Sequence, residues 1–326
     1  MHRSAPFGDG MTLRPDEFRL LRDLVAARTG LNFGPEARFT LERRLRERLV
    51  VLKLSSFADY YQYLRFGSRA HEEWDEAIDL LTTNETYFFR ADRQLRGFQQ
   101  ELLPMLLTQA RAHRRLAIWS AGCSTGEEAY TIAIILHQSG LFYPRLRFGQ
   151  GGSWSTFPKP ETSPVDESPH WDIRIYGSDI SRRCVAFARR GVYQESSFRA
   201  TPDEIRRQCF HQRLDGWHVV DAIRQLCHFG QMNLLDEDRT RVLGRADVIF
   251  CRNVLIYFDA RARKTAIEVL YERLNPGGML LLGHSESLLN VSTAFELLHL
   301  KDDLVYRKPV MARSANSAPD DANVTK

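Results

Sequence analysis

Cysteine is scarce in this chain and spaced without pairing. Cys123, Cys184, Cys209, Cys227 and Cys251 form an odd set of five with no C-x-x-C among them. That argues against a disulfide frame and offers no zinc-ligand spacing, so no metal is expected. No apolar run approaches the roughly 18 residues of a membrane span, and the opening Met1-His2-Arg3-Ser4-Ala5-Pro6 lacks the apolar core of a secretory signal. A cytoplasmic location without membrane insertion is the expectation. Strong charge is missing too. A net charge of +4 over 326 residues does not call for nucleic acid, although local charge can still attract an acidic partner. What is present, 43% hydrophobic and 26% charged residues, suits a folded chain with room for two domains.

The most informative stretch reads Leu116-Ala117-Ile118-Trp119-Ser120-Ala121-Gly122-Cys123-Ser124-Thr125-Gly126-Glu127-Glu128-Ala129-Tyr130. An apolar run breaks into a small-residue turn bracketed by Gly122 and Gly126, then continues as a helix, which is the pattern of a buried parallel strand and its crossover. In open α/β sheets ligands lie at the carboxyl ends of strands. There glycines admit a ligand to the backbone, and helix N-terminal amides face it. A nucleotide-like ligand is therefore expected. A second strand over 173–179 ends in Asp179, where an acid commonly accepts ribose hydroxyls. The plainer role for Asp179 is to cap the helix that starts near Ser181.

In chain order, Thr12 is a plausible cap for a helix carrying Phe18, Leu21, Leu24 and Val25 up to Gly30. A second helix places Leu41, Leu45, Leu49 and Leu52 on one stripe. Its Arg38, Arg43, Arg44, Arg46 and Arg48 oppose only Glu42 and Glu47, and Arg43 and Arg46 project away from the leucines. Such a face is either merely solvated or docks an acidic protein, for which arginine's fixed fork of donors is suited. Further helices over 56–64 and 72–81 complete an all-helical N-terminal domain over 11–82. A linker over 83–98 follows, in which Asn84 and Thr86 face one side while Phe88 and Phe89 anchor the segment to a core.

Residues 99–309 read as an α/β domain. It opens with a helix over 99–112 and carries a long Gly-, Ser- and Pro-rich loop over 140–171. A small antiparallel β insertion is expected over 194–229, with strands at 218–220 and 226–229 around a turn at Asp215-Gly216. The sheet should resume at 232–235, 246–258 and 279–282 and close with a hairpin of 295–300 and 304–308. The polar tail over 310–326 is expected to be disordered.

A parallel sheet closed by a hairpin, with a glycine turn after its first strand and an acid after its second, suits an S-adenosylmethionine methyltransferase. A dinucleotide dehydrogenase competes, with a G-x-G-x-x-G fingerprint, but Gly122 and Gly126 enclose Cys123, Ser124 and Thr125. The expected fold is α/β: an N-terminal all-helical domain plus a C-terminal doubly wound, Rossmann-like methyltransferase domain with the small antiparallel insertion.

Five motifs occur in order: Thr83-Asn84-Glu85-Thr86-Tyr87-Phe88-Phe89-Arg90, Trp119-Ser120-Ala121-Gly122-Cys123-Ser124-Thr125-Gly126-Glu127-Glu128, Gly177-Ser178-Asp179-Ile180, Cys251-Arg252-Asn253-Val254-Leu255-Ile256-Tyr257-Phe258 and Gly283-His284-Ser285-Glu286. Together they closely resemble the chemotaxis receptor glutamate methyltransferase family, a resemblance that spans residues 12–309. It implies S-adenosyl-L-methionine as cofactor and methyl transfer to glutamates on the cytoplasmic helical bundle of chemoreceptors, by a protein-glutamate O-methyltransferase; separately, a monomer is expected. The basic helix thereby gains an acidic partner, with Arg43 and Arg46 as docking residues. By position within the motifs, the resemblance implies cofactor contacts from Asn84, Thr86 and Arg90 in the linker, Glu128 after the glycine turn, and Asp179 at the ribose. It puts Asn233 and Leu234 beside the adenine, Cys251 and Arg252 on the cofactor floor, and Arg90 and Tyr257 nearest the reactive methyl group as catalytic residues. The alternative is a catalytically silent module that binds S-adenosylmethionine or a receptor and retains the fold without turnover.

Overall fold

The structure is a computed structural model that describes residues 11–139 and 171–310. The expected loop over 140–171, apart from Trp171, and the expected disordered tail beyond residue 310 lie outside the described residues. The N-terminal part folds as α1 (Pro15–Thr29), α2 (Arg38–Leu52), α3 (Phe57–Phe66) and α4 (Ala70–Leu81). Pro15 opens α1, where its fixed φ fits and its missing N–H is not needed. The cap there is not Thr12. The Glu17 carboxylate accepts the Arg14 N–H at 3.0 Å and the Ala58 N–H at 3.1 Å, which closes the helix start and ties it to α3. The leucine stripe of α2 faces inward as its spacing predicts. Leu41, Leu45 and Leu49 are fully buried against Phe18, Leu21, Val25, Phe57, Tyr60 and Trp74.

The chain then runs through α5 (Asp92–Gly97), a π-helical turn (Phe98–Leu102) and α6 (Leu103–Ala110) into β1 (Arg115–Ala121), α7 (Glu127–Ser139), β2 (Asp172–Asp179) and α8 (Arg182–Arg190). Next come β3 (Val192–Tyr193), α9 (Asp203–Cys209), β4 (Phe210–Arg213), β5 (Gly216–Val219), α10 (Asp221–Arg224), β6 (Cys227–Gln231) and α11 (Glu237–Arg241). The last elements are β7 (Ala246–Cys251), α12 (Ala260–Arg273), β8 (Leu274–Leu282), β9 (Glu296–His299) and β10 (Leu304–Arg307). The main sheet has the order β6-β2-β1-β7-β8-β10-β9. Its first five strands are parallel, and β10 returns antiparallel to β8. The winding reverses between β1 and β7, so the crevice at the carboxyl ends of those two strands is where a ligand belongs in such a sheet.

Two expectations about the strands after α8 are corrected. The antiparallel insertion is β3, β5 and β4, with its hairpin at the foreseen Asp215-Gly216 turn. Residues 226–229, expected as a strand of the insertion, instead belong to β6 and the turn before it, and β6 forms the parallel edge of the main sheet, pairing Ile175 with Cys227 through to Asp179 with Gln231. Residues 232–235 are not a strand. They form the irregular segment that follows β6, turned by the Asn233 side chain, whose Oδ1 accepts the Leu235 N–H at 3.0 Å. Edge strands need no continuous apolar run, so a half-polar stretch with Gly230 and Gln231 pairs there, while the more apolar tetrapeptide after it packs from a loop.

The linker is fastened to the insertion. Phe88 is fully buried, stacked on Phe198 with centroids 5.1 Å apart and edge-on to Tyr193 and Phe210, and its N–H donates to Ser197 O at 2.9 Å. The Phe89 N–H donates to Thr131 Oγ1 on α7 at 3.1 Å. The N-terminal helices dock near the end of β2. Asp79 of α4 accepts the Ser181 hydroxyl at 2.5 Å and, through its carbonyl, the Arg183 guanidinium at 2.8 Å, while Asp75 accepts the Gln231 amide at 2.9 Å. Because Phe88 anchors the linker through an aromatic cluster, Phe88→Ala is expected to lower the unfolding free energy by about 3–5 kcal/mol. Denaturant titration of both proteins checks this.

Candidate active site

One cleft opens at the carboxyl ends of β1 and β7, between the sheet, the linker and the N-terminal helices. It is concave and open to solvent at one side, with both polar and apolar side chains on its walls, as small-molecule sites are. Asn84, Thr86, Arg90, Glu128, Asp179, Asn233, Leu234, Arg252 and Tyr257 all line it. The sequence placed these residues in separate motifs; the fold brings them to one wall or another of a single space.

The glycine turn forms one wall. Gly122 has φ +77°, and a Cβ there would fall 2.4 Å from Val254 Cγ2, so the turn cannot carry a side chain. The Gly122 and Cys123 N–H groups donate to Ser178 O at 2.8 and 2.9 Å. The Ser124 N–H donates to Asp179 Oδ2 at 2.8 Å, and Asp179 Oδ1 accepts the Ser181 N–H at 2.9 Å. Asp179 therefore braces the turn and caps the entry to α8 while lining the cleft. Burial pushes its carboxyl up, and these backbone donors work against that shift. Each carboxylate oxygen retains acceptor capacity beyond its single N–H.

The floor is a buried ion pair. The Ser120 hydroxyl donates to Glu128 Oε1 at 2.6 Å, Arg252 Nη1 reaches Oε2 at 3.3 Å, and Arg252 Nη2 donates to Arg90 O at 2.5 Å. Burial pushes the Glu128 carboxyl up, opposed by Arg252 and the Ser120 hydroxyl. The same burial lowers Arg252, opposed by Glu128. The Arg90 guanidinium folds back on the linker, donating to Glu85 O at 2.6 Å beside the Tyr87 ring. Tyr257 sits at the mouth with 37% of its surface exposed.

Two placements differ from expectation. Cys251 does not reach the cleft. It is the last residue of β7, 0% exposed, among Trp119, Leu280 and the α12 side chains, because strand alternation turns it toward that layer while the next residue, Arg252, faces the cleft. The docking pair is also unequal. Arg43 is exposed and has no polar partner among the described residues, whereas Arg46 is paired with Glu42, which also accepts the Leu13 N–H at 3.1 Å. Arg48 is bound to Glu73, and Arg44 donates to Leu81 O at 2.6 Å and lines the cleft.

Sequence reasoning missed three contributions. Leu31, Asn32 and Phe33, between α1 and α2, line the cleft, and the Asn32 N–H donates to Tyr257 O at 2.8 Å. No local pattern marks such a long-range contact. Arg44 was read as part of a charged face. Glu286 was noticed only as the end of a motif, yet its carboxylate accepts backbone N–H groups from Gly283, Asn253, Val254 and Ile256. A carboxylate three residues after a glycine at a strand end was the available signal.

The donor set fits S-adenosylmethionine. Acids at Glu128 and Asp179 suit an amine and ribose hydroxyls, Arg90 suits a carboxylate, and Leu234 and Met232 offer an apolar wall. A doubly wound sheet with this turn, this acid and an antiparallel return defines a methyltransferase that uses S-adenosylmethionine. The chain belongs to the CheR methyltransferase family. Residues 84–147 and 162–303 match "CheR methyltransferase, SAM binding domain", and residues 16–82 match "CheR methyltransferase, all-alpha domain". It is 36% identical over 299 residues to chemotaxis protein methyltransferase 2 of Vibrio cholerae serotype O1, covering 91% of this chain and 94% of that one. It is 32% identical to chemotaxis protein methyltransferase 2 of Pseudomonas aeruginosa, covering 85% and 88%. The dehydrogenase alternative falls with this family membership.

Asp179→Ala is expected to weaken S-adenosylmethionine binding by about tenfold or more, since a charged acceptor is worth roughly 1.5–3 kcal/mol per hydrogen bond. Isothermal calorimetry measures it, and an unchanged affinity would remove Asp179 from the site.

Proposed function

We propose that the chain transfers a methyl group from S-adenosylmethionine to glutamate side chains on the cytoplasmic helical bundle of chemoreceptors, forming methyl esters. The reading is carried by one observation: the cleft holding Arg90, Glu128, Asp179 and Tyr257 is lined in part by Thr40 and Arg44 of α2, the helix that also carries the exposed Arg43. This supports a reading in which the helix that docks the receptor also borders the site of chemistry. The two relatives named above are both called chemotaxis protein methyltransferases, which supports it. Among the described residues no helix is long and apolar enough to cross a membrane, which fits a protein that reaches its substrate from the aqueous side.

S-adenosylmethionine supplies an electrophilic methyl group on a sulfonium centre. A substrate glutamate, with an ordinary pKa of about 4.3, is already ionised at neutral pH, so no general base is needed and His284 keeps no catalytic duty. The task of the chain is alignment. Arg90 orients a carboxylate at the linker side of the cleft, and Tyr257 positions the substrate at the mouth through its hydroxyl. Asn84 and Thr86 hold the cofactor from the linker, Glu128 and Arg252 from the floor, and Asn233 and Leu234 from the segment after β6.

The test is transfer of radiolabelled methyl to membranes containing candidate chemoreceptors, followed by mild base, because carboxyl methyl esters hydrolyse where N-methyl groups persist. Base-labile label on the receptor is expected. Bound cofactor with no label on any receptor of a broad panel would favour the silent module. Arg43→Glu is expected to raise the KM for receptor by about fivefold, the scale of an exposed ion pair worth about 1 kcal/mol, with calorimetric S-adenosylmethionine affinity unchanged.

A further inference from the structure

The segment above β7 runs from Arg252 to Phe258 and leaves the sheet through a left-handed residue, Asn253, at φ +60°. Once out of the ladder, its N–H groups need other acceptors. Three of them converge on Glu286. The Asn253 N–H donates to Oε2 at 2.8 Å, and the Val254 and Ile256 N–H groups donate to Oε1 at 2.9 and 3.2 Å. The Gly283 N–H adds a fourth bond to Oε2 at 2.7 Å, joining the end of β8 to the same carboxylate. Gly283 cannot be replaced without disturbing this, since a Cβ there would lie 2.8 Å from Glu286 Oε2 and 2.9 Å from the Asn253 nitrogen.

Glu286 itself does not line the cleft, but Arg252, Asn253, Val254 and Tyr257 do. We propose that Glu286 is a positioning residue for methyl transfer, its carboxylate setting the backbone that delivers Tyr257 to the cleft mouth. The inference rests on the role given to Tyr257 above. Arg252, at the other end of the segment, is held independently by Glu128 and Arg90 O. Beyond the segment's own turn bonds, Tyr257 has the Asn32 N–H on its carbonyl and the Glu286 clamp on the residues before it. Loss of the clamp therefore falls on turnover more than on cofactor affinity. Glutamine cannot replace glutamate here. Its amide offers one accepting oxygen and turns an N–H₂ group toward backbone donors, so at least two of the four bonds are lost.

The test uses Glu286→Gln in the full chain with two readouts. The first is amide hydrogen exchange by mass spectrometry on peptides covering residues 253–257, which is expected to speed up by tenfold or more while peptides from α2 and α12 stay unchanged. The second is receptor methylation, in which kcat is expected to fall at least tenfold with S-adenosylmethionine affinity by calorimetry within threefold of wild type. In a Tyr257→Phe background the same substitution should cost markedly less, since it acts through that side chain. Exchange that does not change overturns the clamp. Faster exchange with kcat within twofold of wild type, or an undiminished effect in the Tyr257→Phe background, overturns the positioning role. Wild-type chain that labels no receptor, with exchange still faster in the variant, upholds the clamp and overturns the ester-forming reading instead. Should Glu286→Gln fail to fold, Glu286→Asp, which keeps the charge and shortens the reach, carries the same readouts.

Discussion

Several backbone N–H groups in the loops at the carboxyl ends of the strands have no carbonyl partner, and the site depends on carboxylates from neighbouring strand ends that accept them. Asp179, at the end of β2, takes the Ser124 and Ser181 N–H groups. Glu286, after β8, takes four more. An unpaired buried amide costs roughly 1–3 kcal/mol, so without these acceptors both segments would collapse toward some other arrangement. Carboxylates at the strand ends thus do for the two loops what helix capping does for helix termini. They also leave the opposite side of each loop open to a ligand.

The same end of the sheet holds the N-terminal helices in place. Ser181 donates to Asp79 of α4 and accepts the Cys184 N–H at 3.0 Å, so the cap of α8 is also an attachment point for the helical domain. Elsewhere, Gly30 packs so closely against the segment after β6 and against α12 that a Cβ would lie 2.7 Å from Leu235 Cδ1 and 3.0 Å from the Ala262 methyl. The linker between these attachments is pinned by Phe88 and Phe89. The cleft is therefore walled by three parts of the chain, each fastened to the next by named contacts.

Much of this was legible in the sequence, for local reasons. The glycine turn, Asp179, the leucine stripe of α2 and the closing hairpin follow from periodicity and turn chemistry over a few residues. What was not legible depends on partners far away in the chain. β6 pairs only because β2 offers it an edge, and nothing in residues 227–231 announces that. Arg46 and Arg48 look free on a helical wheel, but Glu42 and Glu73 claim them. Cys251 and Arg252 sit in one motif, yet alternation sends them to opposite layers. Glu286 acts on residues some thirty positions earlier, and the Asn32 contact to Tyr257 spans two domains.

Because Gly30 leaves no slack between α1 and α12, the distance from Arg43 on α2 to Tyr257 is fixed by the packing of the domains. Under the proposed docking that span works as a ruler laid along a partner helix. A carboxylate one residue out of step would be turned by about 100° around the partner's axis and would face away from the mouth. In that proposal, length and phase along the partner helix would favour one glutamate over its neighbours.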